Sequence, residues 1–371
     1  MRKFTVLLSM TALLLSMAVT GFAADTIKLG VAGPHSGDLA PYGIPAMKAA
    51  QLVVKKVNAA GGVLGRQVEL LIQDDQCKPE IATNTATKLV TEGVDVVLGH
   101  ICSGATKAAL GIYKDAKIPV MSPSATNPAL TQSGNYPNFF RTIASDDMQA
   151  KMVVDFAINK LGVKRVAVLH DKGDYGKGFA EFVKKFLEKS GKVKVVLFEG
   201  ITPGAMDYSS IIQKVRREKA DALIFGGYHP EASKLVSQMK RKRMKALFIS
   251  DDGVKDDSFL KVAGAAANGA YVTGPRDLSS IPLNATAVAE FKAEYGAAPG
   301  AFFQEAYSAT MALLNAIQQA GSTDYDAVTK ALRNNYVETP VGNIKFDSKG
   351  DAEGVGFSVY KVENGSFVEM K

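Results

Sequence analysis

Short apolar runs alternate with longer amphipathic segments along most of the chain. The first apolar run, 26–32, precedes a segment, 41–60, in which alanine and valine recur at helical spacing. This segment stops at Gly61-Gly62, and a glycine at this point is typical of a helix C-terminus. Strands of about five residues alternating with helices of about eleven or more indicate parallel sheets covered by helices on both faces. The pattern therefore predicts an α/β protein.

The same alternation runs through two successive series, which predicts two α/β domains. The predicted strands are 26–32, 66–73, 94–98 and 118–121 in the first series, and 165–169, 193–198, 222–225 and 246–249 in the second. The predicted helices are 41–60, 79–91, 103–115, 146–161, 175–189, 208–219 and one between 230 and 245.

The segment after about residue 274 holds too few strands for a third sheet. It contains predicted helices at 284–295, 302–320 and 324–334, and short strands near 342–346 and 355–362. We expect this segment to return to the first domain and then to cross to the second. The predicted fold is two doubly wound parallel-sheet lobes joined by a three-crossing hinge, with crossings near Ser145, Gly274 and Gly350. The N-terminal lobe is then 24–145 plus about 275–350, and the C-terminal lobe is 146–274 plus about 351–371.

The N-terminus has the layout of a secretory signal peptide. Arg2 and Lys3 precede the apolar stretch 6–19, and small residues at Gly21 and Ala23 fit a cleavage site, with Ala24 as an alternative end. We predict cleavage near Ala23 and export to the periplasm. No cysteine directly follows the apolar stretch, so we expect no lipid anchor, and no later stretch approaches eighteen apolar residues, so we expect no other membrane anchor.

Two cysteines, Cys77 and Cys102, are present. In an exported protein such a pair predicts a disulfide, which in the chain-entropy treatment stabilises the fold by about 3.5 kcal/mol. A cysteine-dependent active site is the alternative, but no Cys-x-x-Cys motif supports it.

The formal net charge of +7 is modest for 371 residues. The densest basic run, 240–245, ends a predicted helix, where cations complement the helix dipole. We do not expect nucleic-acid binding, because no binding motif or interleaved aromatic residues accompany the run. The sequence leaves open whether this run docks on a membrane partner.

Small, hydroxylated and acidic residues follow the predicted strands, where open α/β sheets bind their ligands. Ser103 falls at a predicted helix N-terminus, which suits a carboxylate but also suits ordinary helix capping. The six loops are 33–37, 100–106, 122–126, 172–176, 226–231 and 250–253.

Enzyme chemistry has little support in these loops. The four histidines have no metal-binding spacing, no nucleotide-binding glycine motif or Gly-x-Ser-x-Gly elbow occurs, and Asp74-Asp75 and Asp251-Asp252 are merely adjacent pairs. We therefore predict no catalytic residue, no metal and no cofactor.

Taken together, these loops resemble those of the periplasmic leucine/isoleucine/valine-binding proteins of ABC transporters. The resemblance extends from about residue 27 to 359 and implies the type I periplasmic-binding fold. Its motifs are Asp74-Asp75 before Cys77, Gly99-His100-Ile101-Cys102-Ser103, Ser122-Pro123-Ser124-Ala125-Thr126, His170-Asp171-Lys172 with Tyr175-Gly176, and Gly226-Gly227-Tyr228-His229-Pro230-Glu231.

The resemblance implies how an amino-acid head group is bound. Ser103 and Thr126 bind the ligand carboxylate with nearby backbone N–H groups, and Ser124 offers its carbonyl to the ammonium. The ammonium-binding acid falls on Asp252, where the familiar leucine-binding relatives have glutamate. A shorter acid can shift the ammonium, admit a water or reflect a different ligand.

Four aromatic residues and one isoleucine are implied to enclose the rest of the ligand. Tyr175 closes over it from the C-terminal lobe and Tyr228 lines that side. Tyr42, Ile101 and Phe302 resemble the positions that form the side-chain pocket.

The function implied is an extracytoplasmic solute-binding protein that delivers an amino acid, of the branched-chain aliphatic class, to the membrane permease of an ABC importer. A sensory binding module for chemotaxis or signalling is the alternative, and an enzyme ranks third. We expect a monomer without nucleic-acid partners.

Overall fold

A computed structural model describes residues 26–370. The predicted signal peptide, 1–23, and its cleavage near Ala23 lie outside the described residues. Within 26–370, no helix is long and apolar enough to cross a membrane.

The first sheet contains five strands in the order β2-β1-β3-β4-β5, and all adjacent pairs are parallel. Residues of β1, β3, β4 and β5 are almost all buried, because helices cover both faces of the sheet. The elements are β1 Ile27–Gly33, α1 Ala40–Ala59, β2 Val68–Asp74, α2 Pro79–Thr91, β3 Val96–Leu98, α3 Ser103–Asp115, β4 Val120–Ser122, α4 Ala129–Gln132 and β5 Phe139–Arg141.

The second sheet contains seven strands in the order β14-β13-β10-β9-β8-β6-β7. Strands β6 to β10 are parallel, whereas β13 and β14 are antiparallel additions at one edge. The elements are α5 Asp146–Asn159, β6 Arg165–His170, α6 Asp174–Ser190, β7 Lys194–Gly200, α7 Ser209–Arg217, β8 Ala222–Gly226, α8 His229–Arg241, β9 Leu247–Ser250, α9 Asp257–Ala263, β10 Tyr271–Pro275, β13 Phe357–Glu363 and β14 Ser366–Glu369.

Three helices between β10 and β13 return to the first sheet. Buried apolar residues of these helices share one core with α1 and β1, including Phe291, Phe303 and Leu313. Their bounds are α10 Pro282–Tyr295, α11 Phe303–Ala320 and α12 Tyr325–Asn334, followed by the small hairpin β11 Val337–Thr339 and β12 Gly342–Ile344.

The chain thus passes between the two sheets three times, after β5, after β10 and before β13. In the last passage, Asp351 still pairs with Arg141 of the first sheet, so the chain leaves that sheet after residue 352. The division into lobes at 145, 274 and 350 stays a prediction about which parts move together.

Two strands that border the passages between the sheets, β5 and β10, have no counterpart among the predicted strands, and neither do β11 and β14. β5 is only Phe139-Phe140-Arg141 and contains a charged residue, although Arg141 is fully buried. β10 ends in Gly274-Pro275, residues that usually disfavour strand assignment. Both strands lie next to a passage between the sheets, and neither presents the long apolar run of an internal strand.

Candidate functional site

The loop before α3 forms one wall of the cleft between the sheets. His100 is fully buried and fixes this loop, since its Nδ1 lies 2.6 Å from Asp75 Oδ2 and its Nε2 lies 3.1 Å from the Tyr113 hydroxyl oxygen. The predicted disulfide is present and joins Cys77 to Cys102, whose Cα atoms are 5.5 Å apart. The start of α3 at Ser103 is therefore held by both a covalent bond and a buried hydrogen-bond chain.

A second loop, 122–127, lies beside the first. The Ser124 hydroxyl donates to the Ile101 carbonyl at 2.8 Å, and the Ser122 hydroxyl donates to the His100 carbonyl at 2.6 Å. The buried Arg141 guanidinium donates to the carbonyls of Ala125 and Asn127 at 3.3 and 3.1 Å. These bonds leave the start of α3 and the Ser124–Thr126 backbone facing the cleft together.

The opposite wall comes from the C-terminal ends of β6, β8 and β9. Tyr175 lies in the first turn of α6, and this turn packs directly on β8. A Cβ on Gly176 would lie 2.3 Å from the Gly226 carbonyl oxygen, so only glycine allows this approach. The Tyr175 hydroxyl consequently reaches Asp252 and donates to Oδ1 at 2.6 Å.

Three carboxyl groups are buried together at this wall: Asp146, Asp251 and Asp252. Burial raises the pKa of each above the ordinary range, and repulsion from Asp252 raises the pKa of Asp146 and Asp251 further. Asp252 accepts hydrogen bonds from Tyr175 and from Gln149 Nε2, the latter at 2.8 Å. Among the described residues, neither carboxyl oxygen of Asp146 has a hydrogen bond of good geometry, although the Thr126 hydroxyl lies close enough to lower the pKa of Asp146.

Burying these carboxylates close together is unfavourable unless protons or a cation offset their charge. Within 26–370, no group of three His, Cys, Asp or Glu side chains has an arrangement that could hold a metal ion.

The two walls enclose a cavity of about 10 Å³. Direct contacts close it: the Tyr42 hydroxyl donates to the Gly253 carbonyl at 2.5 Å, and Asn127 Nδ2 donates to the Asp174 carbonyl at 2.6 Å. Lys107 Nζ also lies 2.8 Å from Asp174 Oδ1. Because these contacts join the two walls, a ligand of amino-acid size requires the walls to separate.

Eight of the nine predicted ligand-binding residues line this cavity. The ninth, Thr126, does not line the cavity. It is fully buried next to the lining residues, and among the described residues its hydroxyl has no hydrogen bond of good geometry. The eight are Tyr42, Ile101, Ser103, Ser124, Tyr175, Tyr228, Asp252 and Phe302. Their individual roles stay predictions.

The sequence analysis missed four residues that shape this site: Arg141, Asp146, Gln149 and Asp251. Asp146 and Gln149 are on the first turn of α5, next to a predicted crossing between the lobes. Acidic and amide side chains at a helix start beside a crossing are a signal that could have identified them.

Comparison with known proteins agrees with this architecture. Residues 26–366 match the family described as periplasmic binding protein. The chain is 40% identical over 366 residues to the leucine-, isoleucine-, valine-, threonine-, and alanine-binding protein of Pseudomonas aeruginosa, covering 97% of both chains.

Solved structures of two binding proteins have the same fold. A leucine binding protein, LivK, from Thermotoga maritima superposes with a TM-score of 0.86 at 27% identity, covering 93% of this chain and 98% of the other. The branched-chain amino acid transporter substrate binding protein LivJ from Streptococcus pneumoniae, in complex with isoleucine, gives 0.83 at 28% identity, with coverage of 93% and 100%.

These matches confirm the predicted two-lobed α/β fold, and they confirm a solute-binding protein of the transporter-associated kind rather than an enzyme. The chain belongs to the periplasmic binding protein family, alongside relatives named for leucine, isoleucine and valine.

Proposed function

We propose that this protein binds an α-amino acid with an aliphatic, branched-chain side chain between its lobes and delivers it to the permease of an ABC importer. The observation that carries the proposal is the arrangement of polar groups around one cavity. The start of α3 lies on one side, and Asp252 lines the other with the buried Asp146 and Asp251 beside it; burial raises the pKa of all three carboxyls. This arrangement is complementary to a zwitterion.

The ligand carboxylate is assigned to the N-terminal lobe. The first turn of α3 has N–H groups without partners in the helix, and the positive end of its dipole favours an anion. Ser103 is at this helix start, and the unbonded hydroxyl of Thr126 is buried nearby. Both hydroxyls then donate to the carboxylate.

The ligand ammonium is assigned to Asp252, with Asp146 as a second acid and the Ser124 carbonyl as a further acceptor. Tyr175 closes over the head group while its hydroxyl orients Asp252. A buried ammonium without such partners would cost several kcal/mol, so the site selects for the amino-acid head group.

The ligand side chain is assigned to Tyr42, Ile101, Phe302 and Tyr228. The Tyr42 ring lies 5.9 Å from Tyr228 and 5.7 Å from Phe302, which gives an aromatic enclosure. Such walls distinguish aliphatic side chains by only about 1–3 kcal/mol per methylene. A range of aliphatic amino acids is therefore expected, as in the relative named for leucine, isoleucine, valine, threonine and alanine.

Access to the site follows from separating the lobes about the three connections. The proposed lobes are 24–145 with about 275–350, and 146–274 with about 351–371. Opening breaks the Tyr42–Gly253 and Asn127–Asp174 hydrogen bonds, and the closed form is what the permease recognises. We further propose that the protein acts as a monomer in the periplasm after cleavage near Ala23.

A ligand screen tests the proposal. The processed protein is unfolded and refolded to remove bound molecules, and its thermal unfolding is then followed with each of the twenty amino acids and with small carboxylates such as benzoate. Ligand at about 1,000 times its dissociation constant adds about 4 kcal/mol of stability. We expect shifts with leucine, isoleucine and valine. Shifts only with carboxylates that lack an α-ammonium would overturn the assignment.

A further inference from the structure

Four turns at one end of the C-terminal lobe carry far more positive charge than the rest of the molecule. They lead from α5 to β6, α6 to β7, α7 to β8 and α8 to β9. Because these strands are parallel, the turns share the amino edge of the sheet, opposite the edge that carries the cavity. We call them the basic pole and define them as residues 157–165, 188–194, 215–222 and 239–247.

The basic pole contains fourteen Lys and Arg against three Asp and Glu, a formal charge of +11. The whole chain carries only +7, so all other residues together sum to −4. The four equivalent turns of the first sheet are 57–68, 89–96, 113–120 and 130–139. They hold three basic and three acidic residues and have no net charge. Since the equivalent turns of the first sheet are neutral, the parallel-sheet topology does not by itself require the positive charge of the basic pole.

Helix dipoles explain only part of this excess. Helices α1, α2 and α3 each have a single basic residue in the last turn. In the basic pole most cations lie beyond the helix ends, including Lys192, Lys194 and Lys245. A helix dipole acts within the last turn, so it does not account for these loop residues.

The cations of the basic pole are largely available to an external partner. Twelve of the fourteen side chains are exposed, and Arg165 and Lys242 are half-buried. The acidic residues offer little neutralisation: Glu188 lies 3.9 Å from Lys184, outside the pole, and Asp221 accepts the backbone N–H groups of Lys164 and Arg165.

An apolar groove lies directly beside the run 240–245. Its volume is about 460 Å³, and its walls combine the polar residues Lys240 and Asn268 with apolar side chains. The partly exposed Met244 is among the apolar residues, whereas Val236, Met239 and Phe248 form the buried floor. The four turns contain no aromatic residue, which removes the stacking platform used by single-stranded nucleic-acid binders. Clustered cations next to an apolar groove match a ligand that has both phosphate and hydrocarbon.

We propose that the basic pole binds an anionic phospholipid bilayer, with Lys and Arg side chains on the lipid phosphates and the groove against lipid hydrocarbon. Polybasic surfaces bind anionic bilayers through roughly additive contributions of each cation. Binding by this pole holds the protein at the membrane that contains its permease. The surface is separate from the amino-acid cavity, so this inference stands or falls independently of which ligand the cavity takes.

Vesicle co-sedimentation tests the inference with matched variants. The test variant carries Arg241→Gln, Lys242→Gln, Arg243→Gln and Lys245→Gln. The control carries Lys88→Gln, Lys114→Gln, Lys117→Gln and Lys330→Gln, exposed lysines of the other lobe, and loses the same formal charge. Vesicles contain either equal parts of phosphatidylcholine and phosphatidylglycerol or phosphatidylcholine alone. Thermal unfolding verifies that each variant is folded.

We expect the wild-type protein to bind only the vesicles with phosphatidylglycerol, and high salt to release it. A cation near the bilayer surface contributes about fivefold, so loss of even two such contacts should make the test variant bind more than about tenfold more weakly. The control should change by less than about threefold. A second variant in another turn, Lys189→Gln, Lys192→Gln and Lys194→Gln, should also bind more weakly.

Three outcomes would overturn the inference. The first is equal binding to both kinds of vesicle, or to neither. The second is an equal loss in the test and control variants, because net charge alone would then explain binding. The third is binding to double-stranded DNA as tight as to the anionic vesicles, which would identify a general polyanion surface.

Discussion

The two lobes share a parallel-sheet topology but place opposite chemistry on the cleft. The N-terminal lobe offers neutral donors at Ser103 and Thr126, held by the disulfide and by Arg141. The C-terminal lobe offers Asp251 and Asp252, whose burial is unfavourable without a cation. The difference shows that the fold supplies two facing strand edges, whereas short loop sequences decide the charge each edge presents.

The largest expected effect comes from neutralising the acidic wall. In Asp252→Asn, the amide oxygen can still accept from Tyr175 and Gln149, but the negative charge opposite the proposed ammonium is lost. We expect affinity for leucine to fall by about 10² to 10⁴-fold, since removing one partner of a buried charge pair costs about 3–5 kcal/mol. Isothermal titration calorimetry measures this loss.

The matched control is Asp257→Asn, an exposed acid five residues further along the chain, which should leave affinity within about twofold. Unchanged binding in Asp252→Asn would show that Asp252 does not bind the ligand, and it would overturn the assignment of the ligand ammonium to the C-terminal lobe.

The next effect concerns the covalent support of the N-terminal lobe. The double variant Cys77→Ala and Cys102→Ala opens a loop with a sequence separation of 25. We expect the free energy of unfolding in urea to fall by about 3.5 kcal/mol. Reductant should produce a similar loss in the wild-type protein and none in the variant. If reductant destabilised both proteins equally, the loss would not come from this bond.

A smaller effect is a pH dependence of stability that we expect from an acid of the C-terminal lobe but not from one of the N-terminal lobe. Burial raises the pKa of Asp251 above its ordinary value of 3.8, so the folded protein holds a proton that the unfolded chain releases. Asp251 therefore reduces stability as pH rises from about 4 through its raised pKa. Asp251→Asn keeps an acceptor for the Gly227 N–H and should raise the free energy of unfolding at pH 8.

This gain should shrink as pH falls towards 4 and disappear at about pH 3, where the carboxyl is protonated in both states. Thermal unfolding at several pH values measures it. The control in the N-terminal lobe, Asp115→Asn, replaces an exposed acid and should show no comparable pH dependence. A constant gain at all pH values would mean that the effect of Asp251→Asn is not electrostatic.

Much of the fold was predictable because internal parallel strands and their helices have strong patterns. The predicted helices 79–91 and 103–115 coincide with α2 and α3, and most other predicted elements differ by a few residues at each end. β5 and β10 were missed because tertiary contacts specify them. Arg141 in β5 is buried by its bonds to Asp351 and two carbonyls, and Gly274 in β10 makes room for the Lys255 side chain.

The candidate site was predictable only where it follows strand ends. Loops after β3, β4, β6, β8 and β9 contain most of the cavity lining, and a sequence pattern can identify such loops. Asp146 and Gln149 were missed because their position depends on how α5 passes from one lobe to the other. Their contact with Asp252 spans about a hundred residues of sequence, which no local pattern records.

The basic pole also makes the molecule a strong electric dipole. A formal charge of +11 at one end and −4 over the rest of the full sequence gives the protein a preferred orientation in an electric field before contact occurs. Its retention on an ion-exchange resin should depend on the charge of the basic pole rather than on the net charge of the protein. At its isoelectric point, where net charge vanishes, the protein should still be retained by a cation exchanger, with the C-terminal lobe facing the resin.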